Sequence, residues 1–343
     1  MAFTAQITEN DQNRRLDRIV RKALPQLPLS AIHKMFRKGQ VYIDGKPVPA
    51  SFKPQLGSIL EIPELVAETP QKIPITRGKV SKAPPVRLQS TDKGPSFQIL
   101  FENEALLFIN KEAGIPVHGK DSLALAVQTY LGPKLSPSLS FRPGPLHRLD
   151  QGTSGIITFS KNLMGAQCFS IALREHRLEK WYVALLQGCM TEPAQWTDTL
   201  IRDQNRRMSN LVSETDAGKQ AITRVYPLFH TAHTHNPATL VFIKLETGRT
   251  HQIRVQAAHH GYPLLGDIKY GAKKQARPWV LHAYTLAGLG RLDLGLPDSI
   301  QAPLPDVQVI YLKTLFTEIK QRLFIQRLQE TTPITDLLGA IIK

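Results

Sequence analysis

Asp150 follows a basic pair, His147 and Arg148, in the run P-L-H-R-L-D-Q-G-T-S-G. Opposite charge within a few ångströms favours the ionised form of a carboxyl group, so we expect Asp150 to be charged at neutral pH. An ionised carboxylate can act as a nucleophile or as a base. The same run can also be an ordinary turn capped by Asp150, Thr153 and Ser154, and alone it does not decide between these interpretations.

A second candidate motif is K-W-Y-V-A-L, which begins at Lys180. Side chains alternate faces along a strand, so Lys180 and Tyr182 are predicted to share one face while Trp181 lies on the other. A tyrosine beside a cation could stack on a nucleobase, a contact that contributes about 1–3 kcal/mol per base. The alternative is a half-buried strand tyrosine without a chemical role.

The third candidate motif is G-R-T-H-Q-I-R-V, which ends at Val255. Thr250 is predicted to cap a short helix over 251–260 that stops at Gly261. His251 and Arg254 would then lie together at a spacing of three residues. A rigidly held Arg254 offers a guanidinium fork to a buried carboxylate, whereas the alternative is a surface arginine with a core histidine.

The composition favours a polyanionic partner. The chain has 343 residues, is 42% hydrophobic, and carries 43 basic against 28 acidic residues, a net charge of +15. That length predicts two domains, and the spread of positive charge predicts contact with nucleic acid. A basic but otherwise ordinary enzyme is the alternative.

No run approaches the roughly 18 apolar residues of a membrane span, and no secretory signal is apparent. We therefore expect no membrane partner and a cytoplasmic location.

Several other kinds of site are not supported by the sequence. Cys168 and Cys189 are far apart in the chain and are expected to be core thiols rather than part of a disulfide framework or a zinc site. His230, His233 and His235 lie in a polar stretch that is better explained as a loop than as a metal site. The phosphate-loop pattern fails on spacing, and the dinucleotide and serine-hydrolase patterns each lack a required glycine, so no nucleotide, flavin or serine-hydrolase chemistry is implied. We expect no cofactor and no metal.

The N-terminal residues 14–63 are predicted to form a small basic α+β domain. An amphipathic helix starts near Arg14, Ser30 can cap a second helix that ends at Gly39, and Asp44-Gly45 is a hairpin signal before a strand near 59–62. A solvated charged face would explain the basic residues of one helix, but two basic helices in succession favour RNA contact. The expected RNA-binding residues here are Arg15, Arg18, Lys34, Arg37 and Lys38.

Residues 64–96 contain five prolines and little periodicity, which predicts a linker. From residue 97 to 325 short strands outnumber helices, which predicts an antiparallel-rich mixed sheet with flanking helices, an α+β fold. The predicted strands are 97–101, 106–110, 155–160, 181–186, 221–226 and 239–245, and the predicted helices are 123–131 and 163–175. Helical periodicity covers 307–328, and 326–343 is assigned to a C-terminal tail of undecided structure.

The motifs H-R-L-D-x-x-T-S-G, K-x-Y-x-A and G-R-T-H-Q-I-R-V, in this order, resemble the RluA-type pseudouridine synthases that modify large-subunit ribosomal RNA. The resemblance runs from about Phe97 to Pro305 and includes G-D-x-x-Y-G at Gly266 and L-H-A at Leu281. The N-terminal runs R-L-D-R-I-V and R-K-G-Q-V-Y-I-D-G-K resemble a small RNA-binding domain shared with a ribosomal protein. Gln256 and Tyr262 stand where the family usually has histidine, and we expect both at the edge of the site.

The resemblance implies roles for individual residues. Asp150 would be the catalytic carboxylate, Tyr182 would stack on the target uracil, and Arg254 would pair with Asp150. Arg148 would fill the gap left by the flipped uridine, and His147 would support the flipped strand. Further RNA contacts are expected from Lys180, Arg249 and His251.

Three questions stay open at this point. Asp150 could add to the uracil ring or could remove the ribose C2′ proton. A catalytically silent ribosomal-RNA-binding factor and an RNA glycosidase are rival functions, and transfer RNA is the alternative substrate. We expect a monomer whose partner is large-subunit ribosomal RNA.

Overall fold

The computed structural model describes residues 2–63, 97–135, 137–203, 208–212, 218–231, 236–274 and 279–339. These form two compact units, which we call the N-terminal unit and the main unit. The described residues of the N-terminal unit are 2–63, 128–135, 137–144 and 161–164. The predicted linker 64–96 lies outside the described residues, as do His233 and His235.

The N-terminal unit contains two helices and a small sheet with strand order β1-β4-β2-β3. Its elements in chain order are β1 Phe3–Gln6, α1 Leu16–Ala23, α2 Leu29–Arg37, β2 Tyr42–Ile43, β3 Lys46–Pro47 and β4 Ile59–Ile62. The buried positions of α1 and α2 pack on this sheet, because Leu16, Ile32 and Leu60 belong to one core cluster. The predicted helices, hairpin and strand are therefore present, and β1 is an additional strand.

Two local predictions in this unit have different outcomes. Asp44 and Gly45 both have positive φ, 49° and 73°, as a two-residue hairpin turn requires. The predicted cap Ser30 is wrong, because α2 begins at Leu29 and its N-cap residue is Pro28. The proline side chain has no hydrogen-bond acceptor, so this helix starts without a side-chain cap.

Asp11 anchors a distant chain segment within the N-terminal unit. Its fully buried carboxylate accepts hydrogen bonds from the Ser138 hydroxyl (2.9 Å), the Leu139 N–H (3.0 Å) and the Ser140 N–H and hydroxyl (2.9 and 2.6 Å). Burial opposes ionisation, but these hydrogen bonds outweigh it and lower the pKa of Asp11. Arg14 also donates to the Ser140 hydroxyl, at 2.6 Å.

The remaining elements of the chain lie between residues 98 and 339. They are β5 Gln98–Glu102, β6 Leu106–Lys111, α3 Leu123–Leu131, β7 Gly144–Pro145, β8 Ser154–Ser160, α4 Leu163–Arg174, β9 Glu179–Gln187, β10 Ala194–Asp203, β11 Met208–Val212, β12 Lys219–His230, β13 Ala238–Leu245, α5 Gln252–His259, β14 Leu281–Ala287, β15 Ser299–Gln301, α6 Asp306–Leu315, α7 Ile319–Gln329 and α8 Ile334–Gly339.

The main unit is built on a large mixed sheet. Its strand order is β11-β10-β12-β13-β9-β14-β8-β6-β5, and β15 pairs with β14. Neighbours along this order are antiparallel except β14 and β8, which are parallel. The predicted antiparallel-rich α+β fold is confirmed for this part of the chain. Strands β10, β11 and β14 were not predicted.

The C-terminal helices complete one core of the main unit. Leu312 of α6, Leu328 of α7 and Leu337 of α8 are fully buried in the same hydrophobic cluster as Phe242 and Tyr284. The predicted helical stretch 307–328 is interrupted, since α6 ends at Leu315 and α7 begins at Ile319. Residue 326, where we placed the start of a tail, lies inside α7.

Both cysteines lack a disulfide, but the expectation of two core thiols is wrong because Cys189 is exposed. Among the described residues, no group of His, Cys, Asp and Glu side chains is arranged to hold a metal ion. In the same part of the chain, no helix combines the length and apolarity needed to cross a bilayer.

Gly155 allows β8 and β14 to approach each other. It has a φ of +106°, and a Cβ atom here would lie 2.3 Å from the Ala283 carbonyl oxygen. We expect Gly155→Ala to lower the free energy of unfolding by at least about 2 kcal/mol, because both backbone strain and overlap with a neighbouring strand are introduced. Urea unfolding measures this. Gly132→Ala is the control, since a Cβ there meets nothing within 4 Å, and equal effects of the two changes would contradict the explanation.

His282 makes stability dependent on pH. Burial lowers its pKa from 6.5 to about 4, so between these pH values the unfolded chain binds the extra proton. The free energy of unfolding should therefore fall as the pH drops from about 6.5 towards 4, by up to about 3 kcal/mol from this residue. Urea unfolding of His282→Gln at pH 7, 6 and 5 should show a shallower fall than the exposed control His33→Gln. An equally steep fall would refute this origin.

Candidate active site

Asp150, Tyr182 and Arg254 line one cavity of about 420 Å³ in the main unit, which we call the first cavity. The enzymatic hypothesis required these side chains to converge, and they do. The other site residues predicted in this part of the chain line the same cavity: His147, Arg148, Lys180, Arg249 and His251. Their geometry is therefore observed, while their individual roles stay predictions.

The guanidinium of Arg254 is held mainly by Asp267. Its Nε donates to Asp267 Oδ2 at 2.6 Å and its Nη2 donates to Oδ1 at 2.8 Å, whereas Nη1 lies 3.5 Å from Asp150 Oδ2. The expected direct pairing with Asp150 is thus the longer contact, because a two-point ion pair with a fully buried carboxylate takes the other edge of the guanidinium. Burial would lower the pKa of Arg254, but Asp267 and then Asp150 raise it.

Two aromatic rings flank the same guanidinium. Arg254 Cζ lies 4.9 Å from the ring centroid of Tyr270 and 4.4 Å from that of Trp279. Cation–π contact adds attraction and removes freedom of rotation. Gly152 makes room for Trp279, since a Cβ on Gly152 would lie 2.4 Å from its ring. Asp267, Tyr270 and Trp279 therefore fix the direction in which Nη1 points.

Arg254 and His251 reach the site from α5, although the predicted cap of that helix is wrong. The N-cap residue is His251, with a left-handed φ of 55°, and Thr250 precedes it. Inside the first turn, Gln252 Oε1 accepts hydrogen bonds from the Arg249 N–H at 2.9 Å and the Thr247 hydroxyl at 2.8 Å. This buried amide ties the loop before α5 to the first residue of the helix, and the helix has no side-chain cap.

His251 presents an N–H to the carboxylate. The Tyr270 hydroxyl accepts from the Ser209 N–H at 3.1 Å, so its own proton is available to His251 Nδ1 at 2.7 Å. The other ring nitrogen, Nε2, then carries hydrogen and lies 3.8 Å from Asp150 Oδ1. Burial lowers the pKa of His251 to about 4, against the attraction of Asp150, so the ring is neutral at pH 7.

His147 fastens the loop that carries Asp150 to β8. Its Nε2 accepts the Thr158 N–H at 3.0 Å, and its ring stacks on Phe169 with centroids 6.0 Å apart. Burial, with a smaller contribution from Lys180, lowers the pKa of His147 to about 3. Arg148 beside it is exposed and makes no ion pair within the described residues, so its charge is available to a ligand.

Lys111 is a buried cation that the sequence reasoning missed. Its ammonium donates to the carbonyl oxygens of Glu112 (2.9 Å), Ile115 (2.9 Å) and Gln151 (3.1 Å), the last of which directly follows Asp150. Burial lowers its pKa to about 8, partly offset by Asp150. Lys111 therefore ties the end of β6 to the Asp150 loop. The only sequence signal is a lysine at the end of an apolar strand.

Tyr182 lies on β9, paired with Ile243 of β13 on one side and Ala283 of β14 on the other. Lys180 shares its cavity-facing side, while Trp181 packs in the opposite core, as the predicted alternation requires. Burial, followed by repulsion from Asp150, raises the pKa of the Tyr182 phenol. Burial lowers the pKa of Lys180. Tyr182 is thus a neutral ring, and among the described residues it is the only phenylalanine, tyrosine or tryptophan that lines the first cavity.

Two expectations about the site edge are wrong. Gln256 is fully buried and donates to Asp198 Oδ2 at 2.6 Å, on a part of α5 that does not line the first cavity. Tyr262 packs over Gly188 instead. The motif spacing alone could not show which side of α5 faces the cavity.

The predicted RNA-binding residues of the N-terminal unit are solvent-exposed. Arg15 pairs with Asp17, with Nη2 and Oδ2 2.8 Å apart. The other exposed residues of this group are Arg18 on α1, Lys34 and Arg37 on α2, and Lys38 after it.

The sheet, the order of the motifs and the convergent carboxylate, ring and guanidinium define a class of enzyme, and the chain belongs to the RNA pseudouridylate synthase family. The model of that family matches residues 105–259. The chain is accordingly an RNA pseudouridine synthase, an isomerase.

Among its relatives is the ribosomal large subunit pseudouridine synthase C of Pasteurella multocida, 32% identical over 78% of this chain and 77% of the relative. The protein of the same name from Buchnera aphidicola subsp. Schizaphis graminum is 30% identical over 90% of this chain and 96% of its own length. A solved structure, human RNA Pseudouridylate Synthase Domain Containing 1, is similar in fold, with a TM-score of 0.51, 23% identity, and coverage of 71% of this chain and 99% of that one.

Asp267→Asn tests whether the ion pair positions Arg254. Losing the charge should let the guanidinium move, and a displacement of about 1 Å in an active site costs about 100-fold in rate. Single-turnover rates on RNA should fall by about that factor while RNA affinity changes little. Asp198→Asn, which alters a carboxylate outside the first cavity, is the control. A folded Asp267→Asn enzyme with the wild-type rate would show that Arg254 needs no such anchor.

Proposed function

We propose that this enzyme converts specific uridines of large-subunit ribosomal RNA to pseudouridines, with Asp150 as the catalytic carboxylate. The observation that carries the proposal is the convergence of Asp150, Tyr182 and Arg254 in the first cavity. The names of relatives that match over most of their length support ribosomal RNA as the substrate.

The reaction breaks the bond between uracil N1 and ribose C1′ and forms a bond between C5 and C1′. The proton on C5 leaves to solvent, and N1 gains one, so mass and oxidation state are unchanged. Asp150 supplies the carboxylate that either adds to the ring or removes the C2′ proton, and both routes need an oxygen free to react. Its neighbours at 3.5 Å and 3.8 Å are too distant for strong hydrogen bonds, which leaves lone pairs available.

The target base must leave its helix to reach Asp150, which costs a few kcal/mol. Tyr182 offsets part of this cost by stacking on the uracil. Arg148, which is exposed and makes no ion pair with another described residue, occupies the space that the base leaves. Lys180, Arg249, His251 and the wall at His147 then bind or shape the surrounding nucleotide.

The N-terminal unit supplies a second RNA contact. Arg18, Lys34, Arg37 and Lys38 are exposed on successive helices, and such cations bind phosphates without reading sequence. Arg15 contributes less because Asp17 already pairs with it. Residues 14–63 as the RNA-binding domain, 97–325 as the catalytic domain, a cytoplasmic location and a monomeric state are part of this proposal.

Tritium release from ribosomal RNA labelled at uracil C5 measures the reaction directly. Asp150→Asn should abolish release while RNA binding persists, because the carboxylate is lost with little change in shape. Arg254→Ala should lose most activity, since it leaves Asp267 buried and unpaired. Sequencing pseudouridines in ribosomal RNA from cells with and without the enzyme then gives the positions modified.

Three outcomes would contradict the proposal. Undiminished release by Asp150→Asn would remove its central residue. An abasic product, detected by mass spectrometry, would indicate glycosidase chemistry. Release from transfer RNA but not from ribosomal RNA would change the substrate class.

A further inference from the structure

Ser209 lies on the edge strand β11, and both of its polar groups bond residues outside the sheet. Its N–H donates to the Tyr270 hydroxyl at 3.1 Å, and its hydroxyl donates to the Thr250 carbonyl oxygen at 2.6 Å. The side chain is buried, so these bonds are shielded from water. Because Thr250 directly precedes His251, one serine holds both the tyrosine hydroxyl and the backbone beside the histidine.

A further hydrogen bond joins Tyr270 to His251. The Tyr270 hydroxyl lies 2.7 Å from His251 Nδ1, and among the described residues this nitrogen is the only acceptor within its reach. The two rings meet edge to face, with centroids 5.7 Å apart. His251 has a left-handed φ of 55°, and such a conformation persists where surrounding contacts impose it. The bonds made by Ser209 and Tyr270 are contacts of this kind.

The two oxygens of Asp150 face two different side chains. Oδ1 lies 3.8 Å from His251 Nε2, and Oδ2 lies 3.5 Å from Arg254 Nη1. Attraction at one oxygen alone would leave the carboxylate free to turn about its Cβ–Cγ bond, whereas attraction at both oxygens fixes its plane. His251 attracts Oδ1 only while Nε2 carries hydrogen, because the other neutral tautomer turns a lone pair towards the carboxylate.

We propose that Ser209 and Tyr270 are positioning residues for the isomerisation, because they hold His251 in the tautomer and orientation that fix the plane of the Asp150 carboxylate. This inference rests on the proposed function, since it takes Asp150 as the reacting group. Neither Ser209 nor Tyr270 lines the first cavity, so both act through His251 rather than by contact with the bound nucleotide.

The bond between Tyr270 and His251 can be measured in the full-length enzyme without RNA. In ¹⁵N NMR spectra at pH 7, the His251 signals are those that a His251→Gln enzyme lacks, and they should show hydrogen on Nε2 and none on Nδ1. Tyr270→Phe should shift the Nδ1 signal, because the donor is lost while the ring beside Arg254 is kept. Tyr262→Phe, the same change outside the first cavity, should leave that signal unchanged.

The effect on catalysis is measured by single-turnover tritium release from ribosomal RNA. Tyr270→Phe should slow release about tenfold, as the loss of one hydrogen bond allows, with little change in RNA affinity. In the His251→Gln enzyme, which is already slowed, adding Tyr270→Phe should change the rate less than about twofold, because Tyr270 acts through His251. Ser209→Ala keeps the N–H bond to Tyr270 but loses the bond to Thr250, so it should slow release by a smaller factor.

Three results would overturn the inference: hydrogen on Nδ1 of His251 in the unmodified enzyme, a wild-type rate in Tyr270→Phe, or equal slowing by Tyr270→Phe with and without His251→Gln. Equal slowing would show that Tyr270 acts through the fold or through Arg254. If Tyr270→Phe did not fold, a wild-type rate in Ser209→Ala would overturn the inference instead.

Failure of the proposed function is a separate outcome. Absence of tritium release by the unmodified enzyme would refute that function. Normal release by an enzyme whose His251 carries hydrogen on Nδ1 would refute only the positioning role of Ser209 and Tyr270.

Discussion

The active site depends on one buried ion pair, between Arg254 and Asp267. Burying two charges costs free energy, and their mutual attraction often does no more than offset that cost. This ion pair is therefore better explained by its role in positioning Arg254 than by a contribution to the free energy of unfolding. Asp267 takes Nε and Nη2 of the guanidinium, and the remaining Nη1 points to Asp150. Arginine suits this arrangement because its planar fork can face two carboxylates at once.

Contacts from separate strands also hold the loop that carries Asp150. Lys111, at the end of β6, donates a hydrogen bond to the carbonyl oxygen of Gln151, the residue after Asp150. His147 accepts a hydrogen bond from the Thr158 N–H of β8. The close approach of Gly155 to β14 fixes the start of β8. Since these contacts are made within the protein, the Asp150 carboxylate is held in place before any ligand binds, which is the preorganisation that the proposed catalytic role requires.

Much of this organisation was predictable from residue types and spacing, and the failures have physical causes. Asp150, Tyr182 and Arg254 stood out because charged and aromatic residues recur in short motifs, and alternation on β9 placed Tyr182 correctly. Asp267 stands in the G-D-x-x-Y-G motif, but its role was not assigned because it depends on the partner Arg254, which the motif does not reveal. Lys111 was missed because its partners are backbone carbonyls, which leave no pattern in sequence. The Thr250 cap failed because His251 takes a left-handed conformation that a cap pattern does not reveal. Strands β10 and β14 were missed because pairing and burial, rather than local composition, define them.

The hydrogen bonds of Asp11 make the N-terminal unit depend on two separate stretches of the chain. The N-terminal unit is discontinuous: residues 2–63 need the stretch around Ser138–Ser140 to satisfy a carboxylate buried beside it. A fusion protein carrying only the first stretch would lose these donors together with the segment that covers Asp11, and water would take their place. Exchange of this unit between relatives therefore requires two separate pieces of the gene to change together.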